Sequence, residues 1–171
     1  MRRPGVERLI LPAVALLLLA ADQITKSLVV AKMDLGQSMD LASWLAPFFS
    51  VTYVTNTGVA FGLFQGVSEL FLVIDVVVVV VLLLYYRHLP YGQFWLRLAM
   101  GIQMGGALGN LSDRIVRGAV VDFIDLNFWP MRTWPISNLA DISIVSGVIL
   151  LAGAMLWEQW RGQARAEECE A

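Results

Sequence analysis

The sequence has few of the side chains on which most enzyme chemistry depends. Its 171 residues include a single cysteine, Cys169, and a single histidine, His88. One cysteine excludes an internal disulfide, and the chain has neither an HExxH motif nor a Cys/His cluster that would hold zinc. We therefore expect no metal and no cofactor, and any catalysis has to rely on other residue types.

Charge is also scarce. Charged residues make up 15% of the chain and the formal net charge is −2, so there is no basic surplus for binding nucleic acid. Hydrophobic residues make up 58% of the chain. This exceeds the roughly 45–50% of soluble domains. The composition and length predict a single membrane-embedded domain over residues 1–171.

Four apolar stretches predict an all-α membrane protein. A helix that crosses a bilayer needs about 20 mostly apolar residues. Stretches of suitable length cover residues 9–31, 67–86, 94–111 and 138–160.

The third stretch is the weakest of the four because it contains Arg97 and Gln103. It also carries Gly101, Gly105 and Gly109, which are spaced four residues apart on one helix face. Small residues at this spacing let another helix approach closely. The pattern predicts that this helix packs inside the bundle, which explains how a less hydrophobic helix remains in the membrane.

The basic residues indicate the orientation. Four spans place both termini on one side, together with seven of the 12 Lys and Arg residues against five on the other. The positive-inside rule then places both termini in the cytoplasm. Residues 34–66 and the stretch 120–141 (VVDFIDLNFWPMRTWPISNLAD) are expected at the outer face, and residues 163–171 form a polar tail.

The outer segment 34–66 has the pattern of a small β-structure. Residues 48–56 (FFSVTYVTN) are rich in β-branched and aromatic side chains, and Asn56-Thr57-Gly58 follows as a turn. We predict a small β-cradle on the membrane surface. The part of VVDFID that carries Asp122 and Asp125 is expected to be a loop.

Acidic residues toward the outer face are the candidates for chemistry. Two carboxyl groups about 3 Å apart share one proton, and such a pair activates water as in aspartic proteases. From spacing alone the choice of the pair stays open. The acids concerned are Asp22, Asp113, Asp122, Asp125 and Asp141.

Other interpretations compete with a carboxylate pair. Lys26 with Ser112 or Ser137 would form a Ser–Lys pair, although nothing in the sequence favours either serine. Asp141 follows Asn138 by three residues, as in a helix cap, so a scaffold without enzyme activity is a further possibility. Intramembrane acids at positions 22 and 75 would instead suit a proton-coupled transporter.

Four motifs resemble those of the lipoprotein signal peptidases, also called signal peptidase II. They extend over nearly the full length of the chain and occur in the family's order. They are ADQITK at residues 21–26, TNTGVAFG at 55–62, GGALGNLSDRIVRGAVVDFID at 105–125 and NLAD at 138–141.

This resemblance implies a bacterial inner-membrane aspartic endopeptidase with four transmembrane helices, a periplasmic-side β-cradle and a short interfacial helix. Such enzymes cleave prolipoproteins before a cysteine that carries diacylglycerol, at the periplasmic face. We expect a monomer whose partners are this substrate and membrane lipid. The catalytic pair would be Asp122 and Asp141, with Asp113 and Asp125 not catalytic. The residues implied to bind substrate or support the site are Asp22, Asn56, Gly58, Asn110, Arg114 and Asn138.

Overall fold

The chain folds as long helices with one small sheet at an end of the bundle. The computed structural model describes residues 4–58, 68–131 and 134–170. Within these ranges the elements are α1 (Pro4–Lys32), β1 (Ser38–Met39), β2 (Phe49–Asn56), α2 (Ser68–His88), α3 (Phe94–Arg117), β3 (Val120–Leu126) and α4 (Leu139–Glu170).

Within the described ranges, three helices are long and apolar enough to cross a membrane. The qualifying segments are Glu7–Lys32, Glu69–His88 and Leu139–Arg161. This confirms a mostly helical, multi-pass membrane protein. The helix α3 does not qualify, so a four-span arrangement is not confirmed.

The helix α3 is the central element, because it packs against α1, α2 and α4. Its glycines lie where α1 approaches closely. A Cβ atom on Gly105 would lie 2.7 Å from Leu18 Cβ, and one on Gly109 would lie 2.5 Å from a carboxylate oxygen of Asp22. The prediction that these glycines permit close helix packing is therefore confirmed.

The sheet has the order β1-β2-β3 with both pairings antiparallel. The strand β2 agrees with the prediction, whereas the loop expected around Asp122 is wrong because these residues form β3. Gly118 ends α3 with a φ of 77°, which turns the chain toward β3. In β3, Asp122 lies opposite Val54 and Asp125 lies opposite Ser50.

An apolar cluster holds the sheet against the end of α1. It contains Val29 and Met33 of α1, Val51 of β2, and Val121 and Phe123 of β3. Because Val121 and Phe123 flank Asp122 and are buried, the backbone at Asp122 is fixed between the sheet and the helices.

Helix ends differ from their predicted positions. The helix α3 continues to Arg117 rather than ending at 111, and α4 continues to Glu170, so the polar tail is helical through that residue. The short interfacial helix implied by the resemblance has no counterpart among the described elements. Residues 59–67, which include the second half of TNTGVAFG, lie outside the described residues.

Candidate active site

The Asp122 carboxylate lies on β3 and is 1% exposed. Asn56 of β2 donates its side-chain amide to Asp122 Oδ2 at 3.0 Å, and Asn138 donates to Asp122 Oδ1 at 2.6 Å. Burial, and then the nearby Asp141 carboxylate, raise the pKa of Asp122 to about 7, while the two amide donors oppose this rise. Asp122 therefore keeps a proton at a pH at which an ordinary aspartate has lost it.

The Asp141 carboxylate lies in the first turn of α4. The Asp141 N–H donates to Asn138 Oδ1 at 2.9 Å, and the Asn138 N–H donates to Asp141 Oδ2 at 3.3 Å. This reciprocal arrangement is a helix cap, as the Asn-x-x-Asp spacing predicts. The other oxygen, Asp141 Oδ1, accepts from the Asn110 side-chain amide at 2.8 Å.

Two asparagine side chains connect the two carboxylates. Besides its bond to Asp122, the Asn138 amide donates to Asn110 Oδ1 at 3.2 Å. Asn110 in turn donates to Asp141, so one hydrogen-bonded chain runs from Asp122 through Asn138 and Asn110 to Asp141. Both acids line the same cleft, whose volume is about 370 Å³.

The third acid of the stretch, Asp125, lies elsewhere. It accepts a hydrogen bond from the Thr52 hydroxyl at 2.8 Å and does not line the cleft. Side chains three positions apart on a strand point to opposite faces, so Asp122 and Asp125 cannot share one site.

Arg114 lines the cleft and forms an ion pair with Asp75 of α2. The Arg114 Nη1 atom lies 2.5 Å from Asp75 Oδ2, and the guanidinium lies 5.8 Å from the Phe71 ring centroid. Asp75 also lines the cleft. The sequence motifs give Asp75 no role, and its 39-residue separation from Arg114 provides no local signal for the pairing.

Lys26 is the centre of a buried charge cluster that was not predicted from the sequence. Its ammonium group lies 2.9 Å from Asp22 Oδ2, 3.0 Å from Asp113 Oδ2 and 3.0 Å from Asn110 Oδ1. The side chains of Lys26 and Asp113 are fully buried. Asp113 also pairs with Arg117. The four-residue spacing of Asp22 and Lys26 was the available signal, because such residues are neighbours on a helix.

This cluster positions both candidate catalytic acids through the backbone beside them. Asp113 Oδ2 accepts the N–H of Val121, which precedes Asp122, at 3.1 Å. Asp22 Oδ1 accepts the N–H of Ala140, which precedes Asp141, at 3.0 Å. Asp22 and Asp113 therefore fix the backbone next to both acids, although neither of them lines the cleft.

Gly58 and Asn56 are the remaining residues that were expected at the site. Gly58 is buried, and its N–H donates to Asn56 Oδ1 at 2.9 Å, which holds the Asn56 amide toward Asp122. Gly58 and Asn56 both line the cleft.

The geometry offers no support for a Ser–Lys pair. The three acceptors around Lys26 account for all three of its ammonium donors.

Among the residues whose side chains the structure describes, no group of three or more His, Cys, Asp or Glu side chains converges.

Comparisons with known proteins identify the family. A family model described as "Signal peptidase (SPase) II" matches residues 14–157. The lipoprotein signal peptidase of Moorella thermoacetica is 43% identical over 83% of this chain and 89% of its own length. That of Bacillus subtilis is 40% identical over 91% of this chain and 97% of its own length.

Solved structures show the same architecture. A bacterial membrane enzyme determined by the in meso method at 2.3 Å resolution has a TM-score of 0.79 and 31% identity, and the match covers 91% of this chain and 90% of that one. A second such enzyme, at 1.9 Å, has a TM-score of 0.74 and 31% identity over 89% of this chain and 93% of that one.

Fold and site together define a helical membrane protein with a carboxylate-bearing cleft where α3, α4 and the sheet meet. The chain belongs to the signal peptidase II family. Membership in this family makes it a peptidase.

Proposed function

We propose that this protein removes the signal peptide from diacylglyceryl-modified prolipoproteins by cleaving before the lipidated cysteine. Asp122 and Asp141 are the proposed catalytic pair. The observation that carries the proposal is the chain of hydrogen bonds through Asn138 and Asn110, which holds the buried Asp122 carboxylate and the half-buried Asp141 carboxylate in one cleft. The names of the similar proteins, lipoprotein signal peptidases, support the substrate class.

In the proposed mechanism the two carboxyl groups share one proton. The ionised member takes a proton from water, and the water oxygen attacks the scissile carbonyl carbon while the neutral member donates a hydrogen bond to the carbonyl oxygen. The tetrahedral intermediate then collapses, the C–N bond breaks, and the leaving amine takes a proton from the pair. The raised pKa of Asp122, about 7, supports a proton being held near neutral pH.

The cleft walls suit a substrate that arrives from the bilayer. Phe71 and Ile74 of α2 form one wall, and Ile144 and Val145 of α4 form another. Ile74 and Val145 are 44% and 48% exposed, so apolar surface continues outward from the cleft. We propose that substrate enters laterally between α2 and α4, with its acyl chains still in lipid.

Most of the β2 backbone is not open to pairing with an extended substrate. The strand β2 lies in the middle of the sheet, between β1 and β3. Its backbone is therefore already paired over much of its length.

Arg114 is proposed to contact the substrate backbone. Its Nη1 is paired with Asp75, whereas its Nε is buried without a hydrogen-bond partner among the described residues. A buried donor without a partner is costly, so a substrate carbonyl at this position would be favourable.

We propose a four-span arrangement in the bacterial inner membrane, with both termini cytoplasmic and the cleft at the periplasmic face. The 24 residues of α3 correspond to about 36 Å of helix, enough for a hydrocarbon core of about 30 Å. The packing of α3 against three other helices explains why its sequence is less apolar. The proposed active form is a monomer.

A cleavage assay tests this function. Purified protein in detergent should convert a diacylglyceryl-modified prolipoprotein to a smaller product that begins with the lipidated cysteine, as measured by gel shift and mass spectrometry. The same prolipoprotein without lipid is the control and should not be converted. Activity should be unaffected by EDTA, because the proposed chemistry uses no metal. Cleavage at another bond, or none, would refute the proposal.

Cleavage should have an alkaline limit near neutrality, which means that kcat/KM decreases as the pH rises above about 7. Loss of the proton shared by the pair removes the group that donates to the carbonyl. We expect kcat/KM to fall about tenfold per pH unit above the apparent pKa of about 7. The raised pKa also affects stability. Asp122 holds a proton in the folded protein but not in the unfolded chain between about pH 4 and 7, so the stability that this group contributes decreases as pH rises through that interval.

Replacing Asn56 tests the assignment of this limit to Asp122. Asn56→Ala removes a donor to the Asp122 carboxylate and should move the limit to higher pH. Asn127→Ala is a matched control, because Asn127 donates to Ser50 in the same sheet and does not line the cleft. An unchanged limit in Asn56→Ala, measured as kcat/KM from pH 5 to 9, would assign the titration to another group.

Asp75→Asn should weaken substrate cleavage by releasing Arg114. We expect kcat/KM to decrease by about tenfold, or about 1.4 kcal/mol, because the guanidinium loses the ion pair that orients it. Asp75→Glu keeps the charge and should restore most activity, and Glu69→Gln changes an exposed acid on the same helix as a control. Full activity in Asp75→Asn would show that the pair does not position Arg114.

A proton-coupled transporter with Asp22 and Asp75 as its proton sites is less well supported. Both acids form ion pairs, Asp22 with Lys26 and Asp75 with Arg114.

A further inference from the structure

A basic pocket lies at the end of the bundle opposite the cleft. It is formed where α1 and α3 begin and α2 ends, and its volume is about 350 Å³. We call it the arginine pocket. Its walls include Arg8, Arg87 and Arg97, together with the rings of Tyr86 and Tyr91.

Arg97 is a fixed and buried part of this pocket. It is 2% exposed, and its Nη2 donates to the backbone oxygens of Leu89 and Pro90 at 2.8 and 2.9 Å. Its guanidinium lies 5.2 Å from the Tyr86 ring centroid. The Nε atom, in contrast, is buried without a hydrogen-bond partner among the described residues. A fixed guanidinium therefore retains a donor that a bound acceptor would satisfy.

The pocket has a surplus of positive charge. Glu7 lies beside the pocket with its Oε2 atom 4.0 Å from Arg97 Nε, and the same oxygen accepts the Gly92 N–H at 2.8 Å. Arg8 and Arg87 are exposed, and neither forms an ion pair within the described parts of the chain. Arg8 lies over the Tyr91 ring at 5.2 Å. Three arginines thus line the pocket, and no Asp or Glu among the described residues lines it.

The surface next to the pocket is apolar. Leu83 and Leu84 precede Arg87 by four and three residues, so they lie next to it on the helix surface. They are 46% and 53% exposed, on a helix apolar enough to cross a membrane. A single molecule with an anionic head and an acyl chain would satisfy the arginines and cover these leucines.

We propose that the arginine pocket binds the phosphate group of an anionic phospholipid, with an acyl chain along the α2 surface at Leu83 and Leu84. Basic pockets between transmembrane helices bind such headgroups because the phosphate meets several donors in a poorly hydrated place. The bound lipid would connect the ends of α1, α2 and α3. This site is separate from the cleft and does not depend on the proposed peptidase mechanism.

Native mass spectrometry of the protein in detergent tests the proposal. Dioleoyl phosphatidylglycerol should bind about tenfold more tightly than dioleoyl phosphatidylcholine, which has the same chains and no net charge. Arg87→Gln and Arg8→Gln should each weaken phosphatidylglycerol binding by about tenfold, as expected when one guanidinium–phosphate contact is lost. Arg161→Gln is the matched control, because Arg161 is exposed, does not line this pocket and contacts Trp157 instead.

Three results would overturn the proposal. The first is equal affinity for the two lipids, and the second is an equal loss in Arg161→Gln. The third is inorganic phosphate alone binding as tightly as phosphatidylglycerol, which would define a free-anion site rather than a lipid site. If Arg87→Gln does not fold, Arg8→Gln decides the outcome, since Arg8 lies on a different helix.

Discussion

Replacement of Lys26 with methionine is expected to lower the free energy of unfolding by about 3–5 kcal/mol. Methionine preserves most of the side-chain volume but removes the cation between Asp22 and Asp113. Asp113 retains its ion pair with Arg117, whereas Asp22, which is 1% exposed, has no other ion pair within the described ranges. An unpaired buried charge is among the most destabilising changes that a single substitution makes.

Detergent-based unfolding measures this effect. Purified variants in mild micelles are titrated with sodium dodecyl sulfate and followed by circular dichroism. Lys32→Met is the matched control, because Lys32 ends the same helix with an exposed side chain. The double variant Asp22→Asn/Lys26→Met removes both charges of one pair and should regain part of the lost stability. A Lys26→Met protein as stable as Lys32→Met would show that the cluster contributes no net stability.

The sequence predicts the helices well because their signal is local. Apolar composition places α2 at 67–86, and the structure has Ser68–His88. The end of α3 was missed because Ser112, Asp113 and Arg114 are polar. Their polar groups face a buried cluster and the cleft rather than lipid, and hydrophobicity alone does not reveal such a partner.

The strand β3 was not predicted, because it is stabilised by tertiary contacts rather than by a local sequence pattern. VVDFIDL lacks regular alternation, and its pairing partner β2 lies about 70 residues earlier in the chain. The contact between Lys26 and Asp113 spans a comparable separation. Such contacts depend on how the helices pack, and neither propensity nor spacing encodes that packing.

The pair Asp122 and Asp141 came from the resemblance rather than from spacing. One acid lies on a strand and the other in the first turn of a helix, and 19 positions separate them. The sequence did predict that Asn138 and Asp141 cap α4, and the structure confirms this. The cap also fixes the Asp141 side chain, so a role of Asp141 in capping α4 is compatible with its proposed catalytic role.

Asp122→Asn and Asp141→Asn are each expected to reduce cleavage by about a thousandfold or more, since general acid–base groups contribute about 10²–10⁴-fold. An amide side chain neither takes a proton from water nor returns one to the leaving amine. The substitution keeps the size of each side chain and one acceptor oxygen for Asn138 or Asn110. Folding should persist, because a neutral amide avoids the cost of burying a carboxylate.

The most direct test of this account compares Asp122→Asn with Asp125→Asn on one diacylglyceryl-modified prolipoprotein under single-turnover conditions. The two acids belong to the same strand, but only Asp122 lines the cleft. Asp122→Asn should show essentially no conversion, whereas Asp125→Asn should retain most of the wild-type rate. Cleavage by folded Asp122→Asn at the wild-type rate would contradict the assignment of the catalytic pair.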